Sequence, residues 1–165
     1  AAMERQRKDG RSATPARYLR TTLNAFFRST NRKEPALTLT RPPSPEHPGG
    51  ERIEGVFLAV VQNTSPWTFF GTWPISPCPE ASFDTGLDVF TMRRMHVPTA
   101  LVAAQRMLLS RTGRSSRGGL VVWHDQQAFT LTASRPVEFQ IDGEGLGPTT
   151  EVAFTSHPDA LRVVA

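Results

Sequence analysis

Cysteine is nearly absent from this sequence of 165 residues: Cys78 is the only one. A single thiol excludes an internal disulfide and any cysteine-based metal cage. Its setting, Pro77-Cys78-Pro79, reads as a rigid loop and not as a reactive nucleophile, and a lone cysteine fits a reducing cytoplasm. Lysine is almost as scarce, with only Lys8 and Lys33, so arginine carries the positive charge. No apolar run approaches the about 20 residues that a bilayer-spanning helix needs. The opening residues do not read as a secretory leader. Ala1-Ala2-Met3-Glu4-Arg5-Gln6 instead reads as helical and internal, so the chain is expected to be part of a longer protein. There is no phosphate loop of the Gly-x4-Gly-Lys-Ser/Thr type and no Gly-x-Gly-x-x-Gly after a strand. His47, His96, His124 and His157 are scattered without metal-ligand spacing, no nucleophile elbow is present, and no internal repeat is found.

The apolar fraction, 38%, supports a core for one ordinary domain, or for one domain plus an arm. Charge is unevenly placed. Residues 1–33 carry nine Lys/Arg against Glu4 and Asp9, a net of +7; the whole chain is +4, so the remainder sums to −3. A basic arm of this kind suits anionic lipid or phosphate, or is simply a solvated helix face. Aromatic residues are not interleaved with its arginines as a single-strand binder requires, which argues against nucleic acid. After a helix end near Asp9-Gly10, Thr14-Pro15 is a fit helix start. Tyr18, Leu19, Leu23, Phe26 and Phe27 then fall on one apolar stripe, the mark of packing surface.

Beyond the arm the pattern is mostly of strands. Ala36 to Thr40 alternates, the Pro-rich stretch Arg41 to Gly50 is expected to be an exposed loop, and Arg52 to Asn63 reads as the strongest strand, buried on both faces toward its end. Together the first two strands predict a long hairpin. Thr64 to Pro79 reads as irregular, with aromatics that either line an apolar groove for a lipid tail or pack the loop onto a sheet. Asp84 to Met92 reads as a turn feeding a strand. Thr99 to Leu109 reads as a helix, with Ala100, Ala103, Ala104 and Met107 near one face and Leu101 and Leu108 broadening it. Gly113 to Gly119 reads as a loop. Strands follow at 120–124, 128–133, 137–141, 151–155 and 161–165. Roughly seven strands with short connections predict a mainly β fold: an antiparallel β-sandwich over residues 34–165 with two or three added helices, α+β overall.

Two acidic groups draw notice. In Ser134 to Gly145, Val137, Phe139 and Ile141 alternate with polar residues and run into Asp142-Gly143, a turn pair. Asp142 and Glu144 flank that glycine where a rigid element ends. A carboxylate held there can accept a proton from a substrate hydroxyl, with a companion acid to help hold it. A plain hairpin turn with two solvated acids has the same spacing. Asp84 and Asp88 form the second pair; a tight Asp-x-Gly turn can offer oxygens to Mg²⁺, or can simply be solvated.

Four stretches, in order, carry a resemblance: Pro15-Ala16-Arg17-Tyr18-Leu19, Val60 to Pro66, Asp84-Thr85-Gly86-Leu87-Asp88-Val89-Phe90 and Phe139 to Glu144. Together they resemble the diacylglycerol kinase / sphingosine kinase-like lipid kinases, most closely the actinobacterial members, from about residue 3 to the end. In that family an N-terminal α/β domain with a Gly-Gly-Asp-Gly-Thr motif binds ATP, and a C-terminal antiparallel β domain closes the cleft. This chain resembles only the C-terminal portion. The resemblance implies that Asp142 deprotonates the lipid hydroxyl and that Glu144 is its companion acid. ATP and Mg²⁺ are implied to be held mainly by the missing N-terminal domain, so that the chain alone is expected to be inactive. Asp84 matches an aspartate that holds a structural Mg²⁺ in some members. Their second aspartate falls at Ala81 here, with Glu80 displaced by one, so this chain departs from that metal pattern. The implied partners are a lipid substrate at the membrane surface and the N-terminal domain, and a homodimer is compatible with the chain. The implied location is cytoplasmic, peripheral at the inner membrane surface. A non-catalytic β module that binds lipid or a protein partner through residues 64–79 and the arm is the alternative.

Overall fold

The computed structural model describes residues 33–45, 47–109, 119–142, 144–157 and 160. The expected helical arm, apart from Lys33, and the expected strand at 161–165 lie outside the described residues. Among the described residues there are nine strands, β1 (Leu37–Arg41), β2 (Glu51–Val56), β3 (Leu58–Gln62), β4 (Thr68–Phe70), β5 (Trp73–Ile75), β6 (Leu87–Met92), β7 (Leu120–Gln126), β8 (Ala128–Ile141) and β9 (Glu144–Thr155), and one helix, α1 (Val97–Leu109). The fold is mainly β and antiparallel.

One sheet has the order β2-β1-β8-β9 and the other β3-β6-β7; β4 and β5 form a separate hairpin. The expected hairpin of the first two strands is present, with Thr40 opposite Arg52. The single strand expected over Arg52 to Asn63 is divided at Phe57. Its first part, β2, pairs with β1, and its second part, β3, pairs with β6. The backbone N–H of Phe57 already donates to Met92 of the second sheet. The division also corrects the expected two-sided burial, since β3 is largely half-buried. The chain returns to the first sheet at Gln127, between β7 and β8.

These crossings lay one sheet over the other. Leu39, Ile53, Val56 and Phe129 of the first sheet meet Val89 and Trp123 of the second in one core. Alternation then sends Phe90 and Met92 of β6 to the opposite face, where they join Leu120, Ala103 of α1 and the loop residues Cys78 and Ala81. Sheet β3-β6-β7 is therefore covered on both sides, which is why β6 is buried almost throughout. Full burial of side chains such as Leu39 or Phe90 contributes about 1.5–3 kcal/mol each.

Two other expectations change. Arg41 is not in an exposed loop: it ends β1 and is buried, paired with Glu51, donating to Gln126 Oε1 at 3.1 Å and lying 4.5 Å from the Trp123 ring centre. Residues 64–79 are not wholly irregular, since they contain the β4–β5 hairpin.

Candidate functional site

Strand β8 joins the stretches 128–133 and 137–141, which read separately in sequence. Its first half is paired on both sides, with β1 and β9. Between Thr132 and Val137 the register with β9 shifts, and Arg135 there donates to the carbonyl of Glu34 at 2.8 Å. Beyond this bulge β8 and β9 pair only with each other among the described residues. A bulge bends a strand, and the bend brings Phe139 back against Phe154, edge to face with ring centres 6.5 Å apart. Phe154 in turn stacks on Phe129 of the core at 4.8 Å. The outer ribbon is thus anchored by aromatic contact and not by a third strand.

Asp142 sits at the end of this ribbon. Ile141 pairs with Glu144, so the ribbon turns back just after Asp142; Gly143 lies outside the described residues. Asp142 has φ of 50°. Aspartate is one of the few side chains that tolerate this left-handed backbone, and two-residue hairpin turns use it. Both Asp142 and Glu144 are exposed, and among the described residues no hydrogen bond or ion pair reaches either carboxylate. Ile141 and Leu146 beside them are 51% and 60% exposed. The alternation expected for Val137, Phe139 and Ile141 holds for the first two; Ile141 lies beyond the sheet that would have covered it.

The Asp84–Asp88 segment is built differently from the expected metal turn. Asp84 is exposed and closes a local turn, its backbone N–H bonded to Ser82 Oγ at 3.2 Å and its carboxylate 3.4 Å from the same hydroxyl. Thr85 Oγ1 donates to the carbonyl of Ser82. No group of three His, Cys, Asp or Glu side chains among the described residues is placed to hold a metal ion. The turn at Asp84 supplies one carboxylate, with Ala81 where the resemblance calls for a second aspartate.

Asp88, by contrast, is only 1% exposed. Its carboxylate accepts from His124 Nδ1 at 2.9 Å and from the backbone N–H of Asp125 at 3.0 Å. Asp125 then accepts the N–H of Gly86 at 2.6 Å. A Cβ on Gly86 would stand 2.6 Å from the carbonyl oxygen of Gln126, so only glycine allows this approach. Gly86 and Asp88, through Asp125 and His124, thus form a staple that ties the entry of β6 to the end of β7. Sequence reasoning left Asp88 without a role and missed His124 and Asp125 as its partners. The available signal was the antiparallel register: an acid on a doubly covered strand needs a donor on its neighbour.

Near this staple Cys78 is buried, which the reading of Pro77-Cys78-Pro79 as a rigid loop did not address. Burial, reinforced by the nearby Asp88 charge and opposed by Arg106, pushes its thiol up to about 12. Burial likewise lowers the Arg106 guanidinium from its ordinary value, with Cys78 opposing. Gln62 donates to the carbonyls of Thr64 and Cys78. A thiol so resistant to ionisation is a packing group and not a nucleophile.

Comparison with protein-family models, with curated proteins and with solved structures found no match. Among the described residues no helix is long and apolar enough to cross a membrane. Of the residues singled out in sequence, the fold keeps Asp142 and Glu144 together at one exposed end, leaves Asp84 in a separate turn, and withdraws Asp88 into the interior.

Proposed function

We propose that this chain is the C-terminal domain of a lipid kinase, which in the intact protein transfers the γ-phosphoryl group of ATP to a lipid alcohol such as diacylglycerol. The observation that carries the reading is the end of the β8–β9 ribbon. Two acids without a partner among the described residues stand there beside Ile141 and Leu146, both more than half exposed. Solvated turn acids have no need of apolar neighbours, whereas a hydroxyl that arrives attached to acyl chains does.

In this reading Asp142 accepts the hydroxyl proton as that oxygen attacks the γ-phosphorus and the bond to the departing ADP oxygen breaks. Glu144, on the opposite side of the turn, helps hold Asp142. ATP and Mg²⁺ would be held chiefly by an N-terminal α/β domain outside this chain, so the chain alone is expected to be inactive. The place of action is the cytoplasmic surface of the membrane, where the lipid is.

The test is Asp142→Asn in the intact protein. Asparagine keeps the size and the tolerance of positive φ, so folding is expected to survive. Lipid phosphorylation is expected to fall about 100-fold or more. Near-normal turnover in a folded variant removes Asp142 from the mechanism. A second reading, a non-catalytic lipid-binding β module, is favoured by the exposed aromatic face of β4–β5. The segment preceding Ala1 in the full reading frame separates the two: a glycine-rich phosphate motif there supports the kinase.

A further inference from the structure

Strand β8 changes its support part-way along. Up to Ala133 it is the middle strand of three, held by β1 on one side and β9 on the other. The backbone N–H of Ser134 donates to the carbonyl of Ala36 at 2.9 Å, one last rung on the β1 side among the described residues. At the next residue only a side chain reaches that way: Arg135 Nη2 donates to the carbonyl of Glu34 at 2.8 Å. Pro136 follows, and it has no N–H to give.

The ladder with β9 is interrupted at the same place. Thr132 pairs with Glu151 and Val137 with Thr149, so the four residues Ala133 to Pro136 face the single residue Thr150. Backbone that belongs to no rung can change φ and ψ without breaking one, which is what a hinge requires. A second irregularity lies nearer the tip. Phe139 faces Gly147 and Gln140 faces Gly145, so Leu146 is an extra residue, and Gly147 has φ of 88°.

Little holds the ribbon down beyond that point. Glu138, Gln140, Ile141 and, on β9, Leu146 and Pro148 are exposed. Thr149 Oγ1 donates to the carbonyl of Glu151 at 3.1 Å and accepts its N–H at 3.4 Å, a local contact across Thr150 that bends with the strand. The tie to the sandwich is the edge-to-face contact of Phe139 with Phe154. One aromatic pair of this kind favours its contact by a factor of only about two to ten. A two-stranded ribbon has little stability to add by itself.

We propose that the outer β8–β9 ribbon is a hinged arm that pivots at Arg135-Pro136 and Thr150. In its docked state Phe139 rests on Phe154. In its released state β8 and β9 stay paired with each other but swing away from the sandwich. The five strand residues from Val137 to Ile141 carry the tip about 17 Å beyond the pivot. Asp142 and Glu144 ride on that tip, so the hinge sets where the two acids stand. The mechanics are independent of what those acids do; control of turnover by the hinge rests on the lipid-kinase reading.

The test is pulsed electron paramagnetic resonance on the full chain, spin-labelled at Arg52→Cys on β2 and Gln140→Cys near the tip, both exposed positions. Arg52→Cys with Ala153→Cys, both on the first sheet, is the rigid control. Buried Cys78, its thiol pushed up to about 12, stays unlabelled at neutral pH. The native chain is expected to show one main separation and a second at about a tenth of it or less. Phe139→Ala is expected to raise the second about fivefold or more, Phe139→Leu to raise it less, and Arg135→Ala to raise it too, with the control unmoved. A single separation indifferent to all three variants overturns the hinge. So does a featureless spread in place of two separations, which is fraying, and so does a control that moves. Turnover of the intact protein keeps the two readings apart. Two separations with near-normal turnover in Asp142→Asn support the hinge and remove the kinase chemistry; one fixed separation with turnover lost in Asp142→Asn supports the chemistry and overturns the hinge.

Discussion

Asp88 is a carboxylate with almost no access to water, and its energy depends on the two donors that meet it. Removing one partner of a buried pair leaves the other uncompensated, which costs about 3–5 kcal/mol. Asp88→Ala is therefore expected to lower stability by about 3 kcal/mol in chemical denaturation. His124→Ala should cost less, because His124 retains some access to water. A double variant less destabilised than the sum of the two singles reports their coupling; strict additivity contradicts the bond. Cys78 gives a prediction with pH. Its thiol titrates near 9.0 when unfolded and at about 12 when folded. A folded value raised above the unfolded one contributes stability that is whole below pH 9 and is lost as pH rises toward 12. The loss should approach about 1.4 kcal/mol per pH unit in that window. Cys78→Ala is expected to flatten this alkaline slope, and native Cys78 should resist alkylation at pH 8 while the unfolded chain reacts.

Among the elements, the turn before β6 and the outer ribbon depend on different physics. The turn is held by close backbone approach at Gly86. Gly86→Ala must displace the Gln126 carbonyl or break the Asp125 bond, and a loss of about 1–3 kcal/mol is expected on thermal or chemical unfolding. The ribbon is held by Phe139 packed on Phe154, and through it on Phe129. Phe139→Ala is expected to raise amide exchange over 137–141 and 144–149 while the core strands β1 and β6 keep their protection. The same change in the intact protein should weaken lipid phosphorylation if the ribbon end presents the acid, since positioning governs phosphoryl transfer.

For the whole molecule, the chain crosses between the sheets at Phe57 and again at Gln127, so neither sheet can separate without losing the core they share. Far-UV circular dichroism and Trp123 fluorescence, in a Trp67→Phe, Trp73→Phe background, are expected to report one coincident transition. Much of the fold was legible in the sequence. The alternation of Ala36 to Thr40 and of Val137 to Ile141, and the runs Leu120 to His124 and Ala128 to Ala133, marked strands, and Asp142-Gly143 marked a hairpin, because these signals are local: side chains alternate across a pleat and few residues tolerate positive φ. Other features were not legible. Nothing local in Arg52 to Asn63 says that one apolar run divides at Phe57 between two sheets, or that Arg41 is buried under Trp123, or that Leu101 faces out instead of in. Those outcomes depend on which distant strand supplies the neighbour, and so does the role of Asp88, which needs His124 across the β6–β7 register. Residue order alone marked most of the strand-forming segments and the turn at Asp142. Only the packing of one sheet on another decided which acid was buried with a partner and which was left at an open end, because burial and pairing are properties of contacts made across the chain.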